Sequence, residues 1–165
     1  MTVGIGYDAH RLQPGRQLIL AGSSLPYHLG LVGHSDADVL THAIIDALLG
    51  AAALGDIGQH FPDTDPKFRD ISSLFLLSQV KQLLVSGGFE IINIDATVIL
   101  ERPKLAPYIL PMRQTLAGIL GLGVEQVSIK AKTNEGIGFV GREEGVVAQA
   151  VAQLGKLADR ASHHD

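Results

Sequence analysis

The sequence predicts an α+β fold, a mixed or antiparallel sheet with helices layered on one face. Three observations predict it. Residues 2–10 and 127–133 alternate with the two-residue period of strands, and residues 39–54 form an Ala- and Leu-rich run that reads as a buried helix. The remaining segments complete the order hairpin, helix, helix, strand, helix, strand, helix.

In the first strand Val3, Ile5, Tyr7 and Ala9 share one face, while Gly4, Gly6, Asp8 and His10 share the other. Gly15 and Gly22 bracket a second short strand over residues 17–21, which predicts an antiparallel hairpin, and a third extended piece covers residues 25–29. Ser35-Asp36-Ala37-Asp38 has the form of a helix N-cap box, and the helix it opens runs to Leu54. Residues 55–68, GDIGQHFPDTDPKF, are rich in Gly, Pro and Asp and read as a long loop, a length often associated with function. A second helix is expected over residues 71–86, stopped by Gly87-Gly88, and the β-branched stretch 89–100 is a strand. Pro107 suits the start of a third helix that reaches about Gly121, with Pro111 in its first turns. After the strand at 127–133 and a glycine-rich loop, residues 142–160 read as a final helix. Ser162-His163-His164-Asp165 reads as a frayed tail without a site.

At 165 residues, with no segment that reads as a linker, a single domain is expected over residues 1–165. Thirteen Lys and Arg against 17 Asp and Glu leave a net charge of −4, which gives no general attraction for nucleic acid or an anionic membrane. Any phosphate must be held locally. The chain has no Cys, which fits a reducing compartment, and its first residues carry no basic and apolar leader, so a cytoplasmic protein is expected.

Asp8 and His10 on one strand face, with His42 on a helix, form an incomplete cage for zinc. Three protein ligands leave a fourth position for water or substrate, as catalytic zinc sites do. His42 alone reads more readily as a satisfied core residue; Asp38 and Asp46, one helical turn to either side, are candidates to orient its ring. His34 and Ser35 stand at a helix N-terminus, where free N–H groups favour an anion such as phosphate, although Ser35 also reads as a simple cap. The loop from Gly55 to Asp63 offers acceptors for sugar hydroxyls and equally reads as turn chemistry, and spacing leaves His60 open as a fourth ligand. Gly136-x-Gly138-x-x-Gly141 has the nominal dinucleotide spacing, but the following strand with its acidic residue does not fit in the remaining chain. It reads as a turn that brings backbone close to a ligand, with Lys130, Lys132 and Arg142 as phosphate partners.

Four segments, GIGYDAHRL (4–12), GHSDADVLTHAIIDALLGAAALGDIGQHFPDTDP (33–66), ERPKLAPY (101–108) and KAKTNEGIGFVGREEG (130–145), resemble the 2-C-methyl-D-erythritol 2,4-cyclodiphosphate synthase family of the non-mevalonate route to isoprenoid precursors. The resemblance spans nearly the whole chain. It implies a homotrimer with active sites between subunits, zinc on Asp8, His10 and His42, and a second divalent ion, magnesium or manganese, on Glu135. The implied reaction closes the cyclodiphosphate of 4-diphosphocytidyl-2-C-methyl-D-erythritol 2-phosphate and expels CMP, which makes the enzyme a phosphorus–oxygen lyase. By matching motif, His34 and Ser35 contact phosphate, with His34 and Thr133 the catalytic pair. Asp56, Ile57, Gly58, Phe61, Asp63 and Asp65 hold the methylerythritol, and Pro103, Lys104 and Leu105 the cytidine. Lys132, Thr133, Asn134 and Glu135 lie at the diphosphate, and Phe139 and Arg142 complete the substrate positions. Asp8 and His10 also count among the residues that meet substrate. Tyr7, Lys132 and Asn134 stand where the family commonly has Phe, Thr and Thr. An isoprenoid diphosphate in a central cavity, anchored by Arg142, is a further implied ligand. A zinc phosphohydrolase and a trimeric binding protein with structural zinc are the competing readings.

Overall fold

Glycines at alternate positions of the first strand decide how the two layers meet. A computed structural model describes residues 1–157, and in it β1 (Thr2–Pro14) turns Gly4 and Gly6 toward helix α1 (Val39–Ala51). A Cβ on Gly6 would lie 1.9 Å from the Ala43 carbonyl oxygen, and one on Gly4 2.0 Å from that of Ala47. Only glycine lets the helix backbone rest on the strand this closely. The apolar residues of the strand therefore face outward: Val3, Ile5 and Tyr7 are 65%, 77% and 56% exposed.

Five strands form the main sheet in the order β4 (Leu29–Val32), β1, β7 (Gly145–Lys156), β5 (Phe89–Ile99), β6 (Val127–Lys132). Neighbours are antiparallel except β5 and β6, a parallel pair whose connection carries α4 (Ile109–Leu120). One row of the ladder runs Ala9, Val147, Ile99, Lys132, so the ends of β1 and β6 lie at the same end of the sheet with two strands between them. Helix α1, α3 (Ser73–Ser86) and α4 supply the apolar layer through Leu40, Ile44, Leu48, Leu77, Leu84 and Leu116, all fully buried. The expected α+β class, with helices on one face of a mostly antiparallel sheet, holds.

Four details differ from the sequence reading. Residues 17–21 do not pair with the first strand: β2 (Leu18–Leu20) pairs with β3 (Ser23–Leu25) as a separate ribbon. The cause is the connecting pair Ala21-Gly22, at φ 47° and 70°, because positive φ at both central positions makes the turn that matches strand twist. The expected final helix is β7 as far as Lys156, and its remainder, like the tail at 162–165, lies outside the described residues. Its Ala and Gln favour a helix locally, yet Val146, Ala148, Ala150, Ala152 and Leu154 alternate inward, and the central place between β1 and β5 overrides propensity. The cap of α1 is Asp38, not Ser35: its side chain accepts from the Thr41 N–H at 3.0 Å and from Gly22 N–H at 2.8 Å. The loop at 55–68 contains α2 (Ile57–His60) and a short 3-10 turn, Pro66–Phe68.

Helix α4 begins as expected, through a 3-10 turn at Ala106–Tyr108, with Pro111 in its first turn. No helix among the described residues is long and apolar enough to cross a membrane.

Candidate metal centre and substrate cleft

Because side chains alternate along a strand, Asp8 and His10 emerge on the same face of β1 as Gly4 and Gly6, the face α1 covers. The close approach that those glycines permit brings His42 of α1 to both. Asp8 Oδ2 lies 2.9 Å from His10 Nε2 and 3.0 Å from His42 Nδ1, and the two ring nitrogens are 3.1 Å apart. One ligand atom from each residue falls within 4.8 Å of the others. His10 Nδ1 donates to the Val32 carbonyl at 2.8 Å, which leaves Nε2 turned to the cluster. His42 Nε2 points away, toward Ser73 Oγ at 2.8 Å and Ser35 Oγ at 3.1 Å, which leaves Nδ1 for the cluster.

Burial would raise the Asp8 carboxyl, but the His10 and His42 rings packed against it outweigh that and hold the group well below its ordinary 3.8. For His10, burial works downward, and the Asp8 hydrogen bond and charge, with Val32, lift the imidazole above 6.5. A proton on His10 Nε2 thus stands where a cation would. Two imidazoles and one carboxylate, each with an atom free to coordinate, suit a divalent ion of the zinc kind.

Beside the cluster opens a cavity of about 510 Å³ lined by Asp8, His10, His34, Ser35, His42, Asp46, Ile57, Gly58, Phe61, Asp63 and neighbours. Nine of the expected metal and substrate residues therefore share it, His42, Ile57 and Asp63 among them. Buried His34 Nε2 has no partner, so its donor or acceptor is available to a ligand. Asp46 also lines the cavity, where burial pushes its carboxyl up and the charges of Asp56 and Asp8 add to the effect.

Other expected residues lie elsewhere. Asp38 and Asp46 do not orient His42: Asp38 is buried as a cap, its carboxyl raised by burial, and Asp46 accepts from the Ile57 N–H at 2.8 Å. Asp38 fills the N-terminus of α1, so His34 and Ser35 face the cavity outside that terminus. His60 is not part of the cluster and does not line its cavity; its Nε2 lies 2.8 Å from the Leu54 carbonyl oxygen. Asp56 caps α2 through Gln59 N–H, and Asp65 caps the turn at Lys67 and pairs with its ammonium at 2.8 Å. Leu105 is 2% exposed in the core, so only its backbone can meet a ligand.

The segment after β6 is exposed. Thr133 Oγ1 donates to Glu135 at 2.8 Å, and Asn134 N–H donates to Glu101 at 2.7 Å. Two strands separate it from β1, roughly 14 Å at the usual strand spacing. Thus Lys132, Thr133, Asn134 and Glu135, with Pro103 and Lys104, do not line the cavity beside Asp8, His10 and His42. In the glycine turn, Gly136 and Gly138 have positive φ, and a Cβ on Gly141 would meet the Gly136 backbone at 2.1 Å, so the motif folds on itself. Arg142 is held by Glu144 at 2.8 Å, Lys130 by Asp95, and Phe139 borders a smaller hollow with His10 and Arg11. Ser73, which reaches His42 from behind, and Asp36, which holds Ser73, carried no signal in the sequence beyond that of helix-end residues.

Residues 1–155 match the sequence model of the YgbB family. The 2-C-methyl-D-erythritol 2,4-cyclodiphosphate synthase of Alkaliphilus metalliredigens is 60% identical over 156 residues, 94% of this chain and 98% of the relative. Among solved structures, the bifunctional IspDF from Campylobacter jejuni superposes with a TM-score of 0.91 at 42% identity, covering 94% of this chain and 42% of that one. This chain therefore spans less than half of that bifunctional protein. A 2C-methyl-D-erythritol-2,4-cyclodiphosphate synthase in a CDP-bound form matches at a TM-score of 0.86 and 37% identity, covering 93% and 99%.

Proposed function

This chain belongs to the YgbB family, and from that premise we propose that it converts 4-diphosphocytidyl-2-C-methyl-D-erythritol 2-phosphate into 2-C-methyl-D-erythritol 2,4-cyclodiphosphate and CMP, a step of isoprenoid precursor synthesis. An oxygen of the 2-phosphate attacks the β-phosphorus, the bond from that phosphorus to the bridging oxygen breaks, and CMP leaves with the bridging oxygen. Water is not consumed. The convergence of Asp8, His10 and His42 on one point beside a cleft carries the reading.

Asp8, His10 and His42 would hold zinc, and Glu135, whose exposed carboxylate accepts from the Thr133 hydroxyl, would hold magnesium or manganese together with substrate phosphates. Bound there, the ions would neutralise charge that spreads over the phosphate oxygens during transfer. The chain's own task is to position. His34, with its free buried Nε2, and Ser35 would steer the attacking 2-phosphate. Ile57, Gly58, Phe61 and Asp63 would fold the methylerythritol back so that both phosphates meet, which raises their effective concentration. Thr133 would donate to the diphosphate as the β-phosphorus is attacked, and Pro103, Lys104 and the Leu105 backbone would receive the cytidine.

The gap of roughly 14 Å between the end of β6 and β1 within one subunit supports a homotrimer in which a neighbour brings one group of residues to the other. So does the outer sheet face, where Val3, Ile5, Tyr7 and Val151 leave an apolar patch of a kind that marks interaction surfaces. An isoprenoid diphosphate enclosed by three such faces would have to draw Arg142 away from Glu144. A cytoplasmic location suits the absence of Cys and of a membrane-spanning helix among the described residues.

Phosphorus NMR of zinc-loaded protein with magnesium and the cytidine substrate tests the reading. CMP together with a cyclic diphosphate is the expected outcome. CMP with linear phosphates alone would make the protein a hydrolase, and unchanged substrate would leave a binding protein.

A further inference from the structure

We propose that Ser73 and Asp36 are positioning residues that fix the ring of His42 in the tautomer and orientation a metal ion requires; the inference rests on the reading of Asp8, His10 and His42 as metal ligands. His42 Nε2 lies 2.8 Å from Ser73 Oγ, and Ser73 is fully buried at the start of α3. The Ser73 hydroxyl donates to Asp36 Oδ1, while the Ser73 N–H donates to Asp36 Oδ2 at 2.9 Å. One carboxylate thus grips both the backbone and the side chain of Ser73.

The direction of these bonds has a chemical consequence. A serine hydroxyl has one proton, and Asp36 takes it, so the Ser73 oxygen offers lone pairs to His42. It can accept from Nε2–H and cannot donate to a bare Nε2. The ring is thereby held as the Nε2–H tautomer, with the lone pair of Nδ1 directed at Asp8 and His10. Ser35 Oγ, 3.1 Å from the same nitrogen, accepts from the Ala37 N–H and has no carboxylate behind it. Backbone bonds from Asp36 N–H to Ile71 and from Asp70 N–H to His34, at 3.1 and 2.8 Å, tie the two segments on either side of the contact.

The two imidazoles are therefore held differently. His10 is oriented by a main-chain carbonyl, which no substitution removes. His42 depends on two side chains more than thirty residues apart, and the loss of such partners behind a metal-bound histidine weakens binding by about 10- to 100-fold.

The test is zinc affinity, measured by competition with a chromophoric chelator on the intact protein, for the native chain, Ser73→Ala, Asp36→Asn and the double variant. Native protein should bind zinc tightly, each single variant about 10- to 100-fold more weakly, and the double variant no more weakly than Ser73→Ala, because both act through one bond. The absorption bands of cobalt bound in place of zinc should shift in each variant. A purely structural role would lower the melting temperature of loaded and stripped protein equally and leave the dissociation constant unchanged. That result, or native affinity and cobalt bands in Ser73→Ala, overturns the proposal. Failure of the native chain to bind zinc overturns instead the metal reading beneath it. Should Asp36→Asn fail to fold, Ser73→Ala decides alone.

Discussion

Adding one methyl group to Gly6 should disable the metal centre without touching a ligand. The new Cβ would stand 1.9 Å from the Ala43 carbonyl oxygen and 2.7 Å from the Ala47 nitrogen, both main-chain atoms of α1. Carbon and carbonyl oxygen need roughly 3.3 Å, so strand and helix would have to separate by roughly 1.4 Å. His42 precedes Ala43 and would move with it, stretching its 3.0 Å approach to Asp8. Metal–ligand distances tolerate about 0.2 Å, so the coordination is lost well before the clash is relieved. Overpacking adds a stability cost of about 1–3 kcal/mol or more. The assay is zinc per folded subunit by elemental analysis, with thermal unfolding on the same sample. Gly50→Ala, also on α1 but with its nearest neighbour 3.9 Å away, is the control and should be neutral or stabilising by up to about 1 kcal/mol. Full zinc content and an unchanged melting temperature in Gly6→Ala would refute the claim that glycine sets the distance between the layers.

Metal-stripped protein should be most stable between pH 3.8 and 6.5, the ordinary values of the Asp8 and His10 groups. Asp8 is depressed, so its contribution is present above 3.8 and is lost as pH falls toward its lowered value; His10 is raised, so its contribution is complete below 6.5 and is lost as pH rises through its elevated value. Asp8→Asn should flatten both arms of a melting-temperature profile, and two arms persisting at native steepness would contradict the pairing. Leu116→Ala, in α4, removes a fully buried side chain and should cost about 2–5 kcal/mol in denaturant unfolding while zinc per folded subunit stays native. Ile5→Glu puts a charge on the exposed apolar sheet face and should lower the mass seen by sedimentation to that of one subunit; an undiminished assembly would place the interface elsewhere.

Local signals carried far for β1, α1, α3, β5, α4 and β6, because their periods, caps and prolines are written within each segment. They failed at β7, where Ala and Gln state a helical preference that two flanking strands overrule. The candidate metal ligands were legible because two lie on one strand face and the third on a single apolar helix. Their supports were not. Ser73 approaches His42 through a meeting of α3 with α1, and the candidates one helical turn away, Asp38 and Asp46, accept from main-chain N–H groups elsewhere. The face of β1 that looked apolar in the sequence is the exposed one, since Gly4 and Gly6 made the other face the place for a helix backbone.

The strand order bears on how the chain comes into being. β7, last of the described strands along the chain, lies between β1 and β5, and its ladder joins Thr2 to Leu154. A ribosome delivers the N-terminal ligands early and the strand that flanks them last, so Asp8 and His10 wait on an open edge for most of synthesis. Contacts this distant in sequence make closure of the sheet a late and slow event. A nascent chain cut before residue 145 would expose two unpaired edges in its middle, whereas a completed one closes both at once.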